Sequence, residues 1–319
     1  MIEPVRPITL DDIEQARARI AGTVLRTPLV RLDLGPGALE IYLKLENLQP
    51  TNTYKIRGAS NAVAHLSDAE RARGVWTISA GNAGQGVAYA ARRFGIPCSV
   101  VAIETAPQTK LDRMRTLGAN IVPVSYDDAW NAAETHSFEG VAGTFIHPFD
   151  NHDFIAGHAT MGLEILEDLP EVRTVIAAIG GGGLITGVGS AIKAHKPNVS
   201  VLGAEPETAA PYALSLQEGG PRKFPDWEAS FVDGAGGKSV TERMWQRMRA
   251  VTDGTITVTL DQTRDAMRLI AERTRTISEG AGALALAAAL TGKGGDGPIV
   301  CIVSGGNIDL AKFSDLVAA

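Results

Sequence analysis

The feature that most constrains the fold is a regular alternation between short apolar runs and longer segments with helical periodicity. Two of the apolar runs, TVIAAI (174–179) and PIVCIVS (298–304), are apolar over nearly their whole length. Strands that are apolar on both faces are typical of parallel sheets covered by helices on both sides. The pattern therefore predicts the α/β class. Further strands are predicted at 40–46, 74–79, 98–103, 120–125, 199–205 and 255–260, and helices at 8–21, 58–74, 84–95, 109–119, 129–140, 156–169 and 261–274.

Size, charge and composition argue against several classes of protein. A chain of 319 residues predicts about two domains. The net charge is −6 and no basic run occurs, which argues against a nucleic-acid partner. No apolar run reaches the ~18 residues of a membrane span, and the N-terminus lacks a secretory leader, so a soluble cytoplasmic protein is expected. Cys98 and Cys301 lie in apolar strands and are expected to be buried thiols, while His147, His152 and His158 are too loosely spaced to predict a metal site.

Four glycine-rich or polar loops follow predicted strands. In open α/β sheets ligands bind at the carboxyl ends of the strands, so these loops are expected to converge. The four glycines at 180–183 would free a run of backbone N–H groups for a phosphate. Each loop, taken alone, is also compatible with a tight turn that binds nothing. The loops cover 78–86, 179–187, 277–283 and 303–307.

A nicotinamide-binding site is a rival interpretation of the second loop. A GxGxxG fingerprint would place its last glycine at Ile185 or Thr186, and neither residue fits. However, Glu205 ends the next predicted strand, where a ribose-binding acid would lie. The sequence therefore leaves this alternative open. In the third loop, Glu279 would either cap the following helix or face a ligand.

The stretch PTNTYKIRGAS (50–60) contains a lysine in an unusual position. Lys55 lies between Tyr54 and Ile56, after a turn-like lead-in. Apolar neighbours desolvate an amine, which lowers its pKa and makes it a better nucleophile toward a carbonyl. A reactive lysine, a phosphate cradle, a hydroxyl at a strand end (Ser304) and a loop for a carboxylate together match one cofactor. That cofactor is pyridoxal 5′-phosphate (PLP), an aldehyde that carries a phosphate and a ring nitrogen.

The sequence resembles the fold-type II PLP-dependent enzymes, in particular the serine/threonine dehydratase and serine racemase group. The resemblance implies a tryptophan synthase β-like fold, in which two open, twisted, mostly parallel α/β domains enclose PLP in the cleft between them. A large domain would comprise 1–48 and 154–319, and a small substrate-closing domain 49–153. The motifs that carry the resemblance are RTPLVRL (26–32), LKLENLQPTNTYKIRGA (43–59), SAGNAGQGVAYAA (79–91), HPFD (147–150), IAGHATMGLEI (155–165), GGGGLITG (180–187), GAEPE (203–207), SEGAGA (278–283) and VSGGN (303–307).

The resemblance also implies a role for individual residues. Lys55 would form the Schiff base with PLP, and Tyr54 would pack beside the ring, where relatives usually have phenylalanine. Asn82 would bind the phenolic oxygen and Ser304 the pyridine nitrogen. The remaining cofactor-binding residues would be Gly180, Gly181, Gly182, Gly183 and Leu184 at the phosphate, with Glu279 and Gly305. The substrate-binding residues would be Thr53, Ser79, Ala80, Gly81, Asn82 and Ala83.

The implied activity is removal of water and ammonia from a β-hydroxy α-amino acid of the threonine or serine type, which yields a 2-oxo acid. Lys55 would take the α-proton as general base. A racemase or β-replacement enzyme of the same fold is an alternative, as is a module that binds ligand without catalysis. The resemblance further implies a homodimer or homotetramer.

Departures from the family pattern bear on the substrate. Ala80 replaces the serine that serves as acid/base in the racemase, which disfavours racemisation. Ala83 replaces a histidine, which suggests room for a larger β-substituent such as the phenyl of phenylserine, unless a neighbouring side chain fills the space. Of the family's cation ligands, Glu205 and the Ala209 carbonyl have counterparts, but Pro211 stands where an aspartate is expected, so a divalent cation is doubtful. The chain ends soon after the last motif, so no C-terminal regulatory domain is expected.

Overall fold

The structure, a computed structural model, describes residues 4–106 and 108–318, without the side chain of Thr109. The strands are β1 (Leu29–Leu32), β2 (Ile41–Lys44), β3 (Val75–Ile78), β4 (Cys98–Ile103), β5 (Asn120–Val124), β6 (Thr144–Phe145), β7 (Thr174–Ala178), β8 (Ser200–Pro206), β9 (Gly254–Val258) and β10 (Ile299–Ile302). The helices are α1 (Leu10–Ile20), α2 (Lys55–Ala64), α3 (Asp68–Arg73), α4 (Asn82–Phe94), α5 (Gln108–Thr116), α6 (Tyr126–Thr135), α7 (His152–Asp168), α8 (Gly183–His195), α9 (Pro211–Glu218), α10 (Glu242–Arg249), α11 (Leu260–Thr274), α12 (Gly280–Leu290) and α13 (Leu310–Ala318).

These strands form two sheets. The first has six strands in the order β1-β2-β10-β7-β8-β9, and the second has four in the order β5-β4-β3-β6. All neighbouring strands are parallel except the β1–β2 pair at one edge of the larger sheet. The order of β10, β7 and β8 requires crossovers, which helices supply. The predicted α/β class with two mostly parallel sheets is confirmed.

The two sheets draw on different parts of the chain. The six-stranded sheet uses residues 29–44 and 174–302, and the four-stranded sheet uses the intervening residues 75–145. The predicted domain boundary at residues 48 and 49 lies between these sets of strands. The second boundary, after residue 153, falls inside α7, which begins at His152. The division into a large and a small domain stays a prediction.

The interior explains why the central strands are apolar. Every residue of β7 and β10 is buried, because helices cover both faces of the larger sheet. One of these helices, α12, is buried along its length up to Ala289 and consists of glycine, alanine and leucine. Its small side chains let it lie close to the strands beneath it. None of the helices in the described part of the chain combines the length and apolar character of a membrane crossing.

Some predicted elements differ from the structure. The single helix predicted at 58–74 is two helices, because Ser67 and Glu70 form a reciprocal capping box that begins α3. No element is predicted between residues 206 and 240, but the structure has α9 there, starting at Pro211. Strands β1 and β6 and helices α10 and α13 were not predicted. Both strands and α10 are short, and α13 has no buried residue.

Candidate active site

A cavity of about 450 Å³ lies where the two sheets meet. It sits at the carboxyl ends of β3, β4, β7 and β10, the side of a parallel sheet at which ligands bind. The predicted loops therefore converge, as expected. Of the predicted site residues, the cavity is lined by Tyr54, Lys55, Ser79, Ala80, Gly81, Asn82, Ala83, Gly181, Glu279 and Ser304.

The other predicted residues support the wall rather than line the cavity. Thr53 is buried, and its hydroxyl donates to the Ser304 carbonyl at 3.2 Å. Gly305 pairs with Thr53 in an isolated bridge. Leu184 packs into the apolar core. Gly180, Gly182 and Gly183 belong to the turn that leads into α8.

Lys55 is the first residue of α2, so its side chain projects from the helix start. Its Nζ donates to the Pro148 carbonyl at 2.9 Å and lies 5.2 Å from the Tyr54 ring centroid and 5.5 Å from that of Phe154. Burial lowers the pKa of Lys55 to about 8. The predicted desolvated lysine is thus present, and its neutral fraction near neutral pH is larger than that of an exposed lysine.

A buried ionic network anchors the helix that carries Lys55. Arg57 is fully buried, and its guanidinium donates to Glu46 at 2.8 Å and to Glu164 at 2.8 Å. Lys44, also fully buried, lies 2.7 Å from Glu164. Because Glu46 follows β2 and Glu164 lies on α7, the network ties α2 to both. It fixes the start of α2 relative to the larger sheet.

The glycine turn before α8 packs too closely on its neighbours to carry side chains, and it leaves backbone N–H groups without side-chain caps. A Cβ at Gly181 would lie 2.2 Å from the Phe149 ring, and one at Gly183 would lie 2.9 Å from the Phe149 carbonyl oxygen. Gly182 has φ +88°, a conformation that favours glycine. The turn opens the 13-residue helix α8, whose first N–H groups have no side-chain cap. These features fit a phosphate cradle at a helix N-terminus.

Asn82 and Glu279 form a hydrogen-bond network at the cavity wall. Asn82 Nδ2 donates to Glu279 Oε1 at 2.7 Å, and Asn307 Nδ2 donates to Asn82 Oδ1 at 2.8 Å. Burial, together with the charge of Asp233, raises the pKa of Glu279 to about 7. Glu279 occupies the N-cap position of α12, but its side chain makes no capping bond. The capping alternative is therefore wrong for this side chain, which faces Asn82 instead.

Ser304 follows β10 and is buried at the cavity wall. Its hydroxyl donates to the Ala281 carbonyl at 3.3 Å, and its carbonyl accepts the Tyr54 N–H at 3.0 Å. The side chain is neutral, so any ring nitrogen beside it would meet a hydroxyl rather than a carboxylate. Ser304 also holds the segment that leads to Lys55.

The loop 79–83 presents the start of a second helix to the cavity. The Gly81 N–H donates to Ser79 Oγ at 3.1 Å, which shapes the turn after β3. The helix α4 begins at Asn82, and its N-cap Gly81 supplies no side-chain cap. The first N–H groups of α4 are thus free of a side-chain cap and suit a substrate carboxylate. Ala80 and Ala83 line the cavity with methyl groups only.

Several residues at the site carried no usable signal in the sequence. Pro148 acts through its carbonyl and Phe149 through its contact with Gly181. Their turn is shaped by His147, whose Nδ1 accepts the Asp150 N–H at 2.9 Å. Asp150 in turn pairs with Arg243 and, at 3.1 Å, with Arg247 of α10. Only the HPFD motif pointed to this segment, and it gave no role to any of its residues.

His147, His158 and both cysteines are buried in the protein interior. Burial lowers the pKa of His147 to about 3, so its ring is neutral and can accept the backbone N–H. His158 is fully buried between Tyr54 and Phe154. Among the described residues, no cluster of three or more His, Cys, Asp or Glu side chains could hold a metal. Cys98 and Cys301 are both buried free thiols.

Glu205, the first of the predicted cation ligands, has other partners. Its carboxylate oxygens accept the N–H groups of Tyr212 at 2.8 Å and Ala213 at 2.9 Å, at the start of α9. The Thr255 hydroxyl donates to it at 3.2 Å. Burial raises the pKa of Glu205 to about 7. Both carboxylate oxygens of Glu205 are thus occupied by N–H groups at the start of α9, the helix that begins with Pro211.

Chelation is therefore expected to leave the protein unchanged. Dialysis against EDTA should alter neither turnover nor the melting temperature beyond error, because both Glu205 oxygens already accept backbone N–H groups. Turnover and thermal unfolding, measured before and after dialysis and after readdition of Mg²⁺ or Ca²⁺, test this expectation. Loss on chelation that either ion restores would contradict it.

Comparison with known proteins identifies the family. The model of the pyridoxal-phosphate dependent enzymes matches residues 20–305. L-threonine ammonia-lyase of Thermotoga maritima is 41% identical over 317 residues, 97% of this chain and 78% of its own. The structure of maize serine racemase matches with a TM-score of 0.88 and 34% identity, covering 97% of each chain. The processed form of threonine deaminase isoform 2 from Solanum lycopersicum matches with a TM-score of 0.85 and 32% identity, covering 100% of this chain and 99% of its own.

The chain belongs to the pyridoxal-phosphate dependent enzymes, and its cofactor is PLP. Within that family it is a PLP-dependent ammonia-lyase of the serine/threonine dehydratase and serine racemase group, with the fold-type II architecture. The family assignment leaves no place for the nicotinamide-dependent alternative. It agrees with the cavity, which combines a desolvated lysine with a glycine cradle.

Proposed function

We propose that the chain deaminates β-hydroxy α-amino acids of the threonine or serine type to 2-oxo acids and ammonia. The observation that carries this proposal is Lys55, whose amine reaches the cavity with its pKa lowered to about 8. The relatives named threonine ammonia-lyase and threonine deaminase support the same reaction. The homodimeric or homotetrameric state and the cytoplasmic location remain predictions.

The cofactor would be held by residues that already surround the cavity. Lys55 would bind its aldehyde carbon, and the turn before α8 would hold its phosphate through backbone N–H groups. Tyr54 would lie beside the ring, Asn82 at the phenolic oxygen and Ser304 at the pyridine nitrogen. When bound, PLP supplies a conjugated system that accepts the electron pair left at Cα. The other residues of this assignment are Gly180, Gly181, Gly182, Gly183, Leu184, Glu279 and Gly305.

The protein groups divide the reaction between them. The loop 79–83 orients the amino acid by binding its carboxylate at the start of α4. Lys55, whose lowered pKa gives it a larger neutral fraction than an ordinary lysine, takes the proton from Cα as general base. The β-hydroxyl then leaves as water with the proton that Lys55 gives up, and the released enamine takes up water to give a 2-oxo acid and ammonia. Because Ser304 is a neutral hydroxyl, it would not fully protonate the pyridine nitrogen. The cofactor would then stabilise negative charge at Cα less well, which favours prompt loss of the β-hydroxyl.

Racemisation is the second candidate activity, because serine racemases are among the structural relatives. It needs a proton donor on the face of Cα opposite Lys55. Ala80 offers only a methyl group at the position of the racemase serine. We therefore infer that elimination exceeds racemisation in this enzyme.

A substrate panel tests the proposed function. Both enantiomers of serine and threonine, all isomers of 3-hydroxyaspartate and phenylserine, would be assayed for 2-oxo acid and for inversion at Cα. Oxo acid from at least one of them, faster than inversion, is the expected result. Inversion that outpaces oxo-acid formation would replace the ammonia-lyase assignment with the racemase alternative.

Ala83 further supports a β-substituent larger than methyl, such as the phenyl of phenylserine.

The pKa of Lys55 makes a prediction about cofactor uptake. Only the neutral amine attacks an aldehyde, so the rate at which the apoprotein takes up PLP should rise with pH. The lowered pKa places the midpoint of this rise at about 8 instead of near the ordinary value of about 10.4. Stopped-flow absorbance at a series of pH values measures the midpoint. A midpoint above about 10 would show that Lys55 is not desolvated.

A further inference from the structure

A groove of about 550 Å³ adjoins the active-site cavity. The two spaces share four lining residues, so the groove is a continuation of the site. The shared residues are Ile103, Gly181, Asp233 and Gly234. Beyond them the groove is walled by Tyr126, Trp130, Trp227 and Lys238, and we refer to these four residues as the aromatic groove.

The residues of the aromatic groove come from two separate parts of the chain. Tyr126 and Trp130 lie four residues apart on α6, and therefore on one face of that helix. They are 48% and 43% exposed, which is high for such large side chains. Trp227 and Lys238 come from the irregular segment between α9 and α10. Large exposed apolar side chains that line a groove are typical of a ligand-binding surface.

Lys238 is unusual among the lysines near the site. Its Nζ lies 4.6 Å from the ring centroid of Tyr126 and 4.6 Å from that of Trp227. No carboxylate in the described part of the chain forms an ion pair with it, whereas Lys110 in the cavity pairs with Asp233 at 2.5 Å. The Lys238 ammonium is therefore held by aromatic rings alone.

We propose that the aromatic groove binds an aryl β-substituent of the substrate, and this proposal rests on the proposed function. With the amino-acid part held at loop 79–83, a ring at the β-carbon would extend past Ile103 and Gly234 into the groove. There it would pack on Trp130 and meet the Lys238 ammonium through its face. The hydrogen and methyl of serine and threonine are too short to leave the inner cavity. The substrate class is thus the β-aryl-β-hydroxy α-amino acids.

One charge near the groove, that of Asp233, disfavours an anionic substituent. Asp233, on the shared wall, is about half exposed. Its carboxylate would repel a second carboxylate on the substrate, and Lys110 is already paired with it. Lys238 is surrounded by rings and can accept a further π face without losing an ion pair.

The ratio of kcat/KM for threo-phenylserine to that for threonine tests the proposal. In Trp130→Ala the ratio should fall about 10-fold, the effect of losing one aromatic contact of roughly 1.4 kcal/mol. In Lys238→Met it should fall about 3- to 10-fold, the size of a cation–π contact. Trp130→Phe, which keeps a ring, should retain most of the ratio. Leu290→Ala removes a similarly exposed apolar side chain at the far end of α12 and should leave the ratio unchanged.

A second measurement uses an inhibitor without a leaving group. Phenylalanine should inhibit threonine turnover more strongly than alanine, and Trp130→Ala should remove the difference. Because Trp130 is about half exposed, Trp130→Ala should fold normally. Its turnover of threonine measures whether it has folded.

Two results would overturn the proposal. One is an unchanged ratio in both Trp130→Ala and Lys238→Met, and the other is oxo acid from threonine or serine but none from phenylserine. If no β-hydroxy amino acid gives oxo acid, the proposed function itself fails, and the aryl site fails with it. The pattern of products therefore distinguishes the two failures.

Discussion

Lys55→Ala is expected to abolish turnover, with a loss of at least about 10⁴-fold in kcat, because one side chain serves as both covalent anchor and general base. The Nζ of Lys55 lies in the cavity and donates to the Pro148 carbonyl. The purified variant should also lose the visible absorption of a lysine-bound cofactor. Activity and absorbance of the holoenzyme, compared with the variant, measure both effects.

Two further variants sharpen this test. Lys55→Arg keeps a positive charge but offers no neutral amine at accessible pH, so it should be as inactive as Lys55→Ala. Lys293→Ala removes an exposed lysine in the turn after α12 and should leave activity and spectrum intact. Circular dichroism should show native secondary structure in all three. Turnover by folded Lys55→Ala above about 1% of the wild type would be more activity than loss of a general base leaves. Such a result would contradict the assignment.

Arg57→Leu is expected to have the largest effect on stability, a loss of about 3–5 kcal/mol. Arg57 is fully buried and neutralises Glu46 and Glu164, so its removal leaves two carboxylates in the interior with less compensation. Denaturant and thermal unfolding of the apoprotein measure the change. The rate of PLP uptake should fall as well, since the network positions the start of α2.

The matched control is an arginine in an exposed ion pair. Arg17 lies 2.6 Å from Glu167, and both side chains are 40% exposed. Because solvent screens such a pair, Arg17→Leu should cost less than about 1 kcal/mol. The double variant Arg57→Leu with Glu46→Gln should lose less stability than the two single changes added together, as contacting residues do. Equal effects of Arg57→Leu and Arg17→Leu would show that burial of the network is not what stabilises it.

The sequence predicts much of the fold because its strongest patterns depend on local structure. The fully apolar runs became β7 and β10, buried on both faces. The capping box of α3 was also visible as serine followed three residues later by glutamate, yet helical periodicity on both sides concealed the break. Edge elements such as β1 have few residues and weak periodicity, so their formation depends on pairing with β2.

The site was predictable where a residue's own chemistry is diagnostic. Lys55, the glycine run and Ser304 carry such chemistry, and the structure places Lys55, Gly181 and Ser304 at one cavity. Contacts between distant residues were not predictable. The sequence carried no sign of the role of Arg57, because its partner Glu164 lies 107 residues away in the chain.

The aromatic groove shows the same limit. Trp130 and Lys238 line one groove only because the fold brings α6 and the segment before α10 together. Neither residue stands in a recognisable motif. The substitutions Ala80 and Ala83 indicated that the substrate site differs from that of relatives, and only the structure shows where additional room exists.

The most direct test of the proposed deamination is the stoichiometry of its products. The holoenzyme would be incubated with the best β-hydroxy amino acid of the panel, and 2-oxo acid, ammonia and the enantiomers of residual substrate would be measured together. Deamination predicts one ammonia for each oxo acid, with little inversion at Cα and no product from Lys55→Ala. Inverted amino acid that accumulates without ammonia would contradict it.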